Sequence, residues 1–168
     1  MRFAYVDRWQ QSLRGLFEQK PSNEQLLALL EARDRELEAY LAGPGWEDYT
    51  PTDTNITVGD GTQTARKRVH ADGTVDFTWR LVWGATTAIT GNASIGLPVA
   101  VAGRQTAVCR YLDNTTRHYV GVCSMAGSAG LLIHTESGSA GVVTATAPFT
   151  FISADSIEVS GTCEPEET

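Results

Sequence analysis

"RVHADGTVDFTWRLVWG", residues 68–84, decides the fold class. From Val75 the odd positions read Val75, Phe77, Trp79, Leu81 and Trp83, and the even positions between them read Asp76, Thr78, Arg80 and Val82. Side chains alternate across an extended strand, so one face of this segment is apolar and meets a core while the other meets water. The "HADGT" just ahead of it places Asp-Gly where antiparallel strands are commonly joined by a tight turn. Trp79 and Trp83 share their face with Phe77 and Leu81, so they read as core rather than as an exposed platform.

The same grammar continues on both sides. Turn signals recur at 58–62 ("VGDGT"), 70–74, 90–92 ("TGN"), 102–104 ("AGR"), 112–116 ("LDNTT"), 126–130 ("AGSAG"), 136–141 ("ESGSAG") and 153–156 ("SADS"). Short stretches rich in Val, Ile, Thr and aromatics lie between them. Such spacing predicts an antiparallel β-sandwich of jelly-roll type. No helical pattern separates the strands, which excludes a parallel α/β sheet, and no repeat of fixed period is present.

Before Gly43 the chain reads as helix. Ser22 followed by Gln25 is a capping box, Pro21 closes whatever precedes it, and Gly43-Pro44 is a helix stop. The pattern predicts helices over about 5–19 and 23–42. In the second, Leu27, Leu30, Leu37 and Leu41 fall on a and d positions of a heptad, with Asp34 at the intervening a, and Leu26 and Leu29 widen the stripe. So short an arm cannot bury this stripe on itself, and needs copies of itself or another protein as a partner. The expected organisation is a helical anchoring or oligomerisation segment over 1–43 and a β-sandwich over 44–168, with Leu26, Leu27, Leu30, Leu37 and Leu41 as the associating residues.

Composition narrows the function classes. Of 168 residues 42% are hydrophobic and 20% charged, enough for a core, and the net charge is −7. An acidic chain lacks the cationic surface that phosphate binding needs, so no nucleic-acid partner is expected. The one basic cluster, Arg66-Lys67-Arg68, reads as a solvated strand edge. "MRFAYVDRWQQSL" carries charges where a signal peptide is apolar, and no stretch approaches a membrane span, so a soluble product of the cytosol is expected. Cys109, Cys123 and Cys163 lack metal-ligand spacing and are expected as buried thiols, with a Cys109–Cys123 bridge as the alternative. The N-x-S/T triplets at Asn55, Asn92 and Asn114 reflect turn and strand propensity.

Chemistry is sparse. His70, His118 and His134 lie in separate segments and none belongs to a recognised metal-ligand motif, so neither metal nor cofactor is expected. Nucleophile-elbow, phosphate-loop and dinucleotide fingerprints are missing from the sequence. Asp53, Asp60, Asp72 and Asp76 offer carboxylates for glycoside chemistry, yet turn propensity explains the first three. The expectation is a protein without catalytic activity. Trp46, Tyr49, Tyr111 and Tyr119 remain as aromatics able to stack on a sugar ring if exposed, and the three tyrosines are the candidate glycan contacts.

Several motifs resemble the C-terminal domain of minor tail and fibre-like virion proteins of phages that infect actinobacteria. They are Trp46, Tyr49, Thr50, Pro51 and Thr52 at the entry, then Gly59, Gly61 and Thr62 ahead of a strand. Trp83-Gly84, then Gly91 with Leu97-Pro98, follow, and "APFTFISADSIEVSGTCE" closes at 147–164, with Cys163 where a tyrosine is usual. The resemblance spans 46–164 and consists of turn and core residues. It implies a structural virion protein, a short trimeric tail or head fibre. Its helices would attach to other virion proteins, its sandwich would face outwards, and a host-surface glycan is the possible ligand. Other readings are a capsid decoration protein and a free lectin-like module.

Overall fold

In the computed structural model the described residues are 22–42, 45–114, 117–136 and 139–166, so the helix expected over 5–19 lies outside them. The chain divides into two compact units at Pro44/Gly45. In the first, helix α1 spans Asn23–Ala42. Its start is the capping box read from sequence: the Ser22 amide donates to Gln25 Oε1 at 2.9 Å and the Gln25 amide to Ser22 Oγ at 3.3 Å. Two of the orphan amides of the first turn are thereby satisfied.

The second unit is an open antiparallel sheet. Its strands are β1 (Glu47–Asp48), β2 (Thr54–Thr57), β3 (Thr62–Val69), β4 (Val75–Val82), β5 (Ala88–Asp113), β6 (Arg117–Glu136), β7 (Ser139–Val142) and β8 (Ser156–Cys163). The order is β1-β3-β4-β8-β5-β6-β7, with β2 paired to β5. In β4 the alternation holds along its length: Val75, Phe77, Trp79 and Leu81 are buried, as is Trp83 just beyond, while Thr78 and Arg80 are exposed.

Three expected turns are not chain reversals. "TGN" at 90–92 and "AGR" at 102–104 fall inside β5, and "AGSAG" at 126–130 falls inside β6. The β5–β6 ladder shifts register between Gly96 and Val101 and again between Val101 and Arg104. Gly103 (φ 63°) and Gly127 (φ 56°) lie there in the left-handed region. An extra residue at such a point bends a strand without ending it, and glycine adopts that backbone freely. The early part of β5 therefore runs beside β2, Ile56 opposite Ile89, while its late part runs beside β8, Cys109 opposite Val159.

The bend also folds β6 onto itself. Thr135 Oγ1 donates to the Val120 carbonyl at 2.6 Å, and the Tyr111 hydroxyl donates to the Ile133 carbonyl at 3.2 Å. Gly121 permits this approach, because a Cβ there would lie 2.1 Å from the Ile133 carbonyl oxygen. Phe77, Trp79 and Leu81 from β4, Ile95 and Tyr111 from β5, Met125 and Leu132 from β6, and Ile157 from β8 close into one core.

Candidate functional site

Two surfaces carried functional expectations: the leucine face of α1 and the tyrosines of the β unit. On α1, Leu26, Leu27, Leu29, Leu30 and Leu37 are 40%, 59%, 41%, 59% and 46% exposed. The side chain of Leu41 lies outside the described ones. Each leucine left partly in water forgoes a share of the roughly 1.5–3 kcal/mol that complete burial of such a side chain contributes. Arg33 pairs with Glu36 at 2.9 Å on the same helix, and Arg35 Nε donates to the Glu31 carbonyl at 3.2 Å rather than to its carboxylate.

The tyrosines separate into different roles. Tyr111 is fully buried, which removes it as a glycan contact. Its alternation with Ala107 and Cys109 carried that signal, since all three share a strand face. Burial first, then the neighbouring Cys109, holds its hydroxyl far above the ordinary tyrosine pKa. Tyr49 is half-buried against the core, its amide donating to the Ala65 carbonyl and its hydroxyl to the Gly96 carbonyl at 3.3 Å. Tyr119 is half-buried and stacks on Phe149, with ring centroids 5.1 Å apart. Phe149 meets Phe151 at 4.5 Å, and Phe151 stacks on Trp83 at 4.3 Å, so an aromatic row runs from the core to Tyr119.

The carboxylates are each tied into the fold. Asp60 Oδ1 accepts from the Thr86 amide at 2.7 Å and its hydroxyl at 2.8 Å, and Asp72 Oδ1 accepts from the Thr74 amide and hydroxyl. Both are turn residues as expected. Asp53 is not. Its carboxylate accepts from the Gly96 amide at 2.9 Å, from Trp79 Nε1 at 3.3 Å and from the Gln63 side chain. These donors lie 43, 26 and 10 residues away, so no local sequence signal announces them. Burial raises the Asp53 pKa above its ordinary value, against the lowering effect of those hydrogen bonds.

On the outer face, Asp76 Oδ2 meets Arg68 and His70 at 2.7 Å each, and its Oδ1 accepts from Thr162 Oγ1 at 2.7 Å. These contacts, the Arg68 one foremost, hold its carboxyl well below the usual range. Glu158 lies between Arg80 and Arg110. The basic cluster is likewise engaged: Arg66 pairs with Asp48 at 3.3 Å, and the Arg68 guanidinium lies 5.3 Å from the Trp46 ring centroid.

Cys109, Cys123 and Cys163 are buried free thiols, not a disulfide. Burial pushes the Cys163 thiol up to about 11, which keeps it protonated and unreactive. Among the described residues no group of three or more His, Cys, Asp and Glu side chains is gathered to hold a metal ion, and no helix is long and apolar enough to cross a membrane. No protein-family model, curated protein or solved structure matches the chain. Among the described residues the large apolar side chains left exposed include these leucines on α1 and Val108, Val120 and Val122 on the sheet.

Proposed function

We propose that this chain is a structural virion protein without catalytic activity, a short homotrimeric fibre of a phage tail or head. Its helical segment attaches to other proteins of the particle, and its β unit, arranged as a two-layer sandwich, faces outwards. The observation that carries this reading is the leucine stripe of α1, exposed in a chain whose β unit buries Trp79, Trp83, Leu81 and Leu132. A free lectin-like module has no use for such a stripe, whereas a particle-bound fibre needs one. A capsid decoration protein uses the same two parts, and differs only in where on the particle it attaches.

The motifs at Trp46–Thr52, Gly59–Thr62, Trp83-Gly84 and 147–164 support the fibre reading through the resemblance they carry. The Asp60–Thr86 clasp gives two of them a physical role: a Cβ on Gly59 would lie 2.5 Å from Thr86 Oγ1, and one on Gly84 2.3 Å from Asp60 Oδ1. For a host-surface glycan, Tyr119 with Phe149 is the stacking pair we favour, since Tyr111 is buried and Tyr49 is held by Gly96. Gold-labelled antibody against the β unit should decorate intact phage particles at one fixed position. Purified particles that lack the chain by mass spectrometry would overturn the proposal.

A further inference from the structure

The outer face of the sheet changes character across its width. The register sets Arg66 opposite Thr78, Thr78 opposite Ser160, Ser160 opposite Val108, and Val108 opposite Val122. The next row of that face runs Thr64, Arg80, Glu158, Arg110, Val120. On β3, β4 and β8 these positions are polar, while on β5 and β6 they gather Val108, Val120 and Val122, which are 60%, 59% and 37% exposed. Ala107, Cys109, Gly121 and Cys123, their strand neighbours, are buried, so the three valines point outwards. Strand propensity alone does not require them, since Thr64 and Thr78 serve it on the same face. Single exposed valines are ordinary on a protein surface, whereas a contiguous apolar patch marks a contact.

The chemistry and size of the patch select what covers it. Three valines offer a sugar neither hydrogen bonds nor an aromatic ring, so the patch is no glycan site. A protein arriving from solution needs roughly 800 Å² on each partner for a stable interface, and three part-exposed valines supply a small fraction of that. Copies already joined through α1 are free of this requirement, because a short connection holds their β units at roughly millimolar effective concentration. Only Gly43, Pro44 and Gly45 stand between Ala42, the last residue of α1, and Trp46. The rim of the patch also suits a second copy. Glu158 pairs with Arg110 and, at 3.0 Å, with Arg80, so both signs of charge lie beside the valines and like patches do not repel. Resting on the self-association proposed above, we infer that the Val108–Val120–Val122 patches of neighbouring copies pack against one another, a second interface that α1 brings within reach.

This contact removes water from the valines and from the ion pairs beside them, which contribute little while exposed. It also fixes the β units to one another. Tyr119 and Phe149 of each copy are then held at one spacing, so weak contacts with a repeating surface reinforce one another.

A nitroxide probe on the full-length Val120→Cys variant tests the contact. The three native thiols are buried, so the label goes to the introduced cysteine. Its spectrum should be broadened by neighbouring labels, and the broadening should disappear when labelled chains are mixed with excess unlabelled ones. A sharp, mobile spectrum from chains that sediment as an assembly rejects the valine contact and leaves self-association standing. As a second measurement, the double variant Val108→Thr, Val120→Thr keeps strand propensity and should raise the dissociation constant in sedimentation equilibrium about tenfold. Its shielded Trp79 emission should stay as in the wild type. An unchanged or lower constant overturns the inference. A wild type that is monomeric at all concentrations rejects the self-association reading itself, and the valine contact with it.

Discussion

Asp53 and Asp76 are two carboxylates of the same sheet that respond to pH with opposite sign. Arg68, Thr162 and His70 favour the charged form of Asp76, so its folded pKa lies below the ordinary 3.8. Its stabilising contribution is complete above that value and is lost as the pH falls below it. Asp53 has its pKa raised above 3.8 by burial, so the unfolded chain ionises first, and stability declines as the pH rises from 3.8 through the folded value. Replacing Asp76 with Asn should therefore lower the melting temperature at neutral pH and flatten the fall in stability between about pH 4 and pH 2. Parallel acid melting curves for wild type and variant would show that the Arg68–Asp76–His70 contacts contribute nothing. Asp53→Asn replaces an acceptor of three donors by a group that is itself half donor. It should cost about 1–3 kcal/mol in urea unfolding, since the new amide N–H then faces either the Gly96 amide or both Gln63 and Trp79.

At the scale of the strand, β4 is the element on which the core is assembled, and Trp79 is its centre at 1% exposure. Trp79→Ala should cost roughly 3–5 kcal/mol in chemical denaturation. Trp79→Phe should reduce the blue-shifted, quencher-shielded tryptophan emission to the share that buried Trp83 contributes. A variant whose shielded emission is undiminished would mean that Trp79 is not buried. β4 was legible because a period of two over five apolar positions admits one burial pattern, and α1 because Ser22, Gln25 and Gly43-Pro44 mark both its ends. β5 and β6 were not, since Gly103 and Gly127 are the residues a reversal would also use, and only pairing across the sheet distinguishes a bend from a turn. Of the candidate tyrosines, Tyr111 was misread by residue type although its place beside Ala107 and Cys109 pointed inwards. Gly121 is equally silent in sequence: its role depends on Ile133, twelve residues on. Gly121→Ala should destabilise by at least about 1–3 kcal/mol, because the atom it meets is backbone and cannot turn aside.

For the whole molecule the issue is what the leucine stripe does in the isolated chain. Leu30 sits at a d position and is 59% exposed, and its own helix cannot cover it, so its burial needs a surface beyond α1. A lysine there keeps helix propensity, since Leu and Lys rank together as helix formers. It also leaves the capping box of Ser22 and Gln25 untouched. Any loss of assembly in Leu30→Lys would therefore report the seam and not a melted helix. In light scattering at micromolar concentrations the wild type should have about three times the mass of the chain, and Leu30→Lys one. The β unit should be unaffected, with the same shielded Trp79 emission and the same urea midpoint, because its core draws on no residue before Tyr49. A wild type that scatters as a monomer would, on the proposed function, make the stripe a docking face for another protein of the particle. In that case Leu30→Lys should abolish the chain's incorporation into particles while leaving its solution behaviour unchanged.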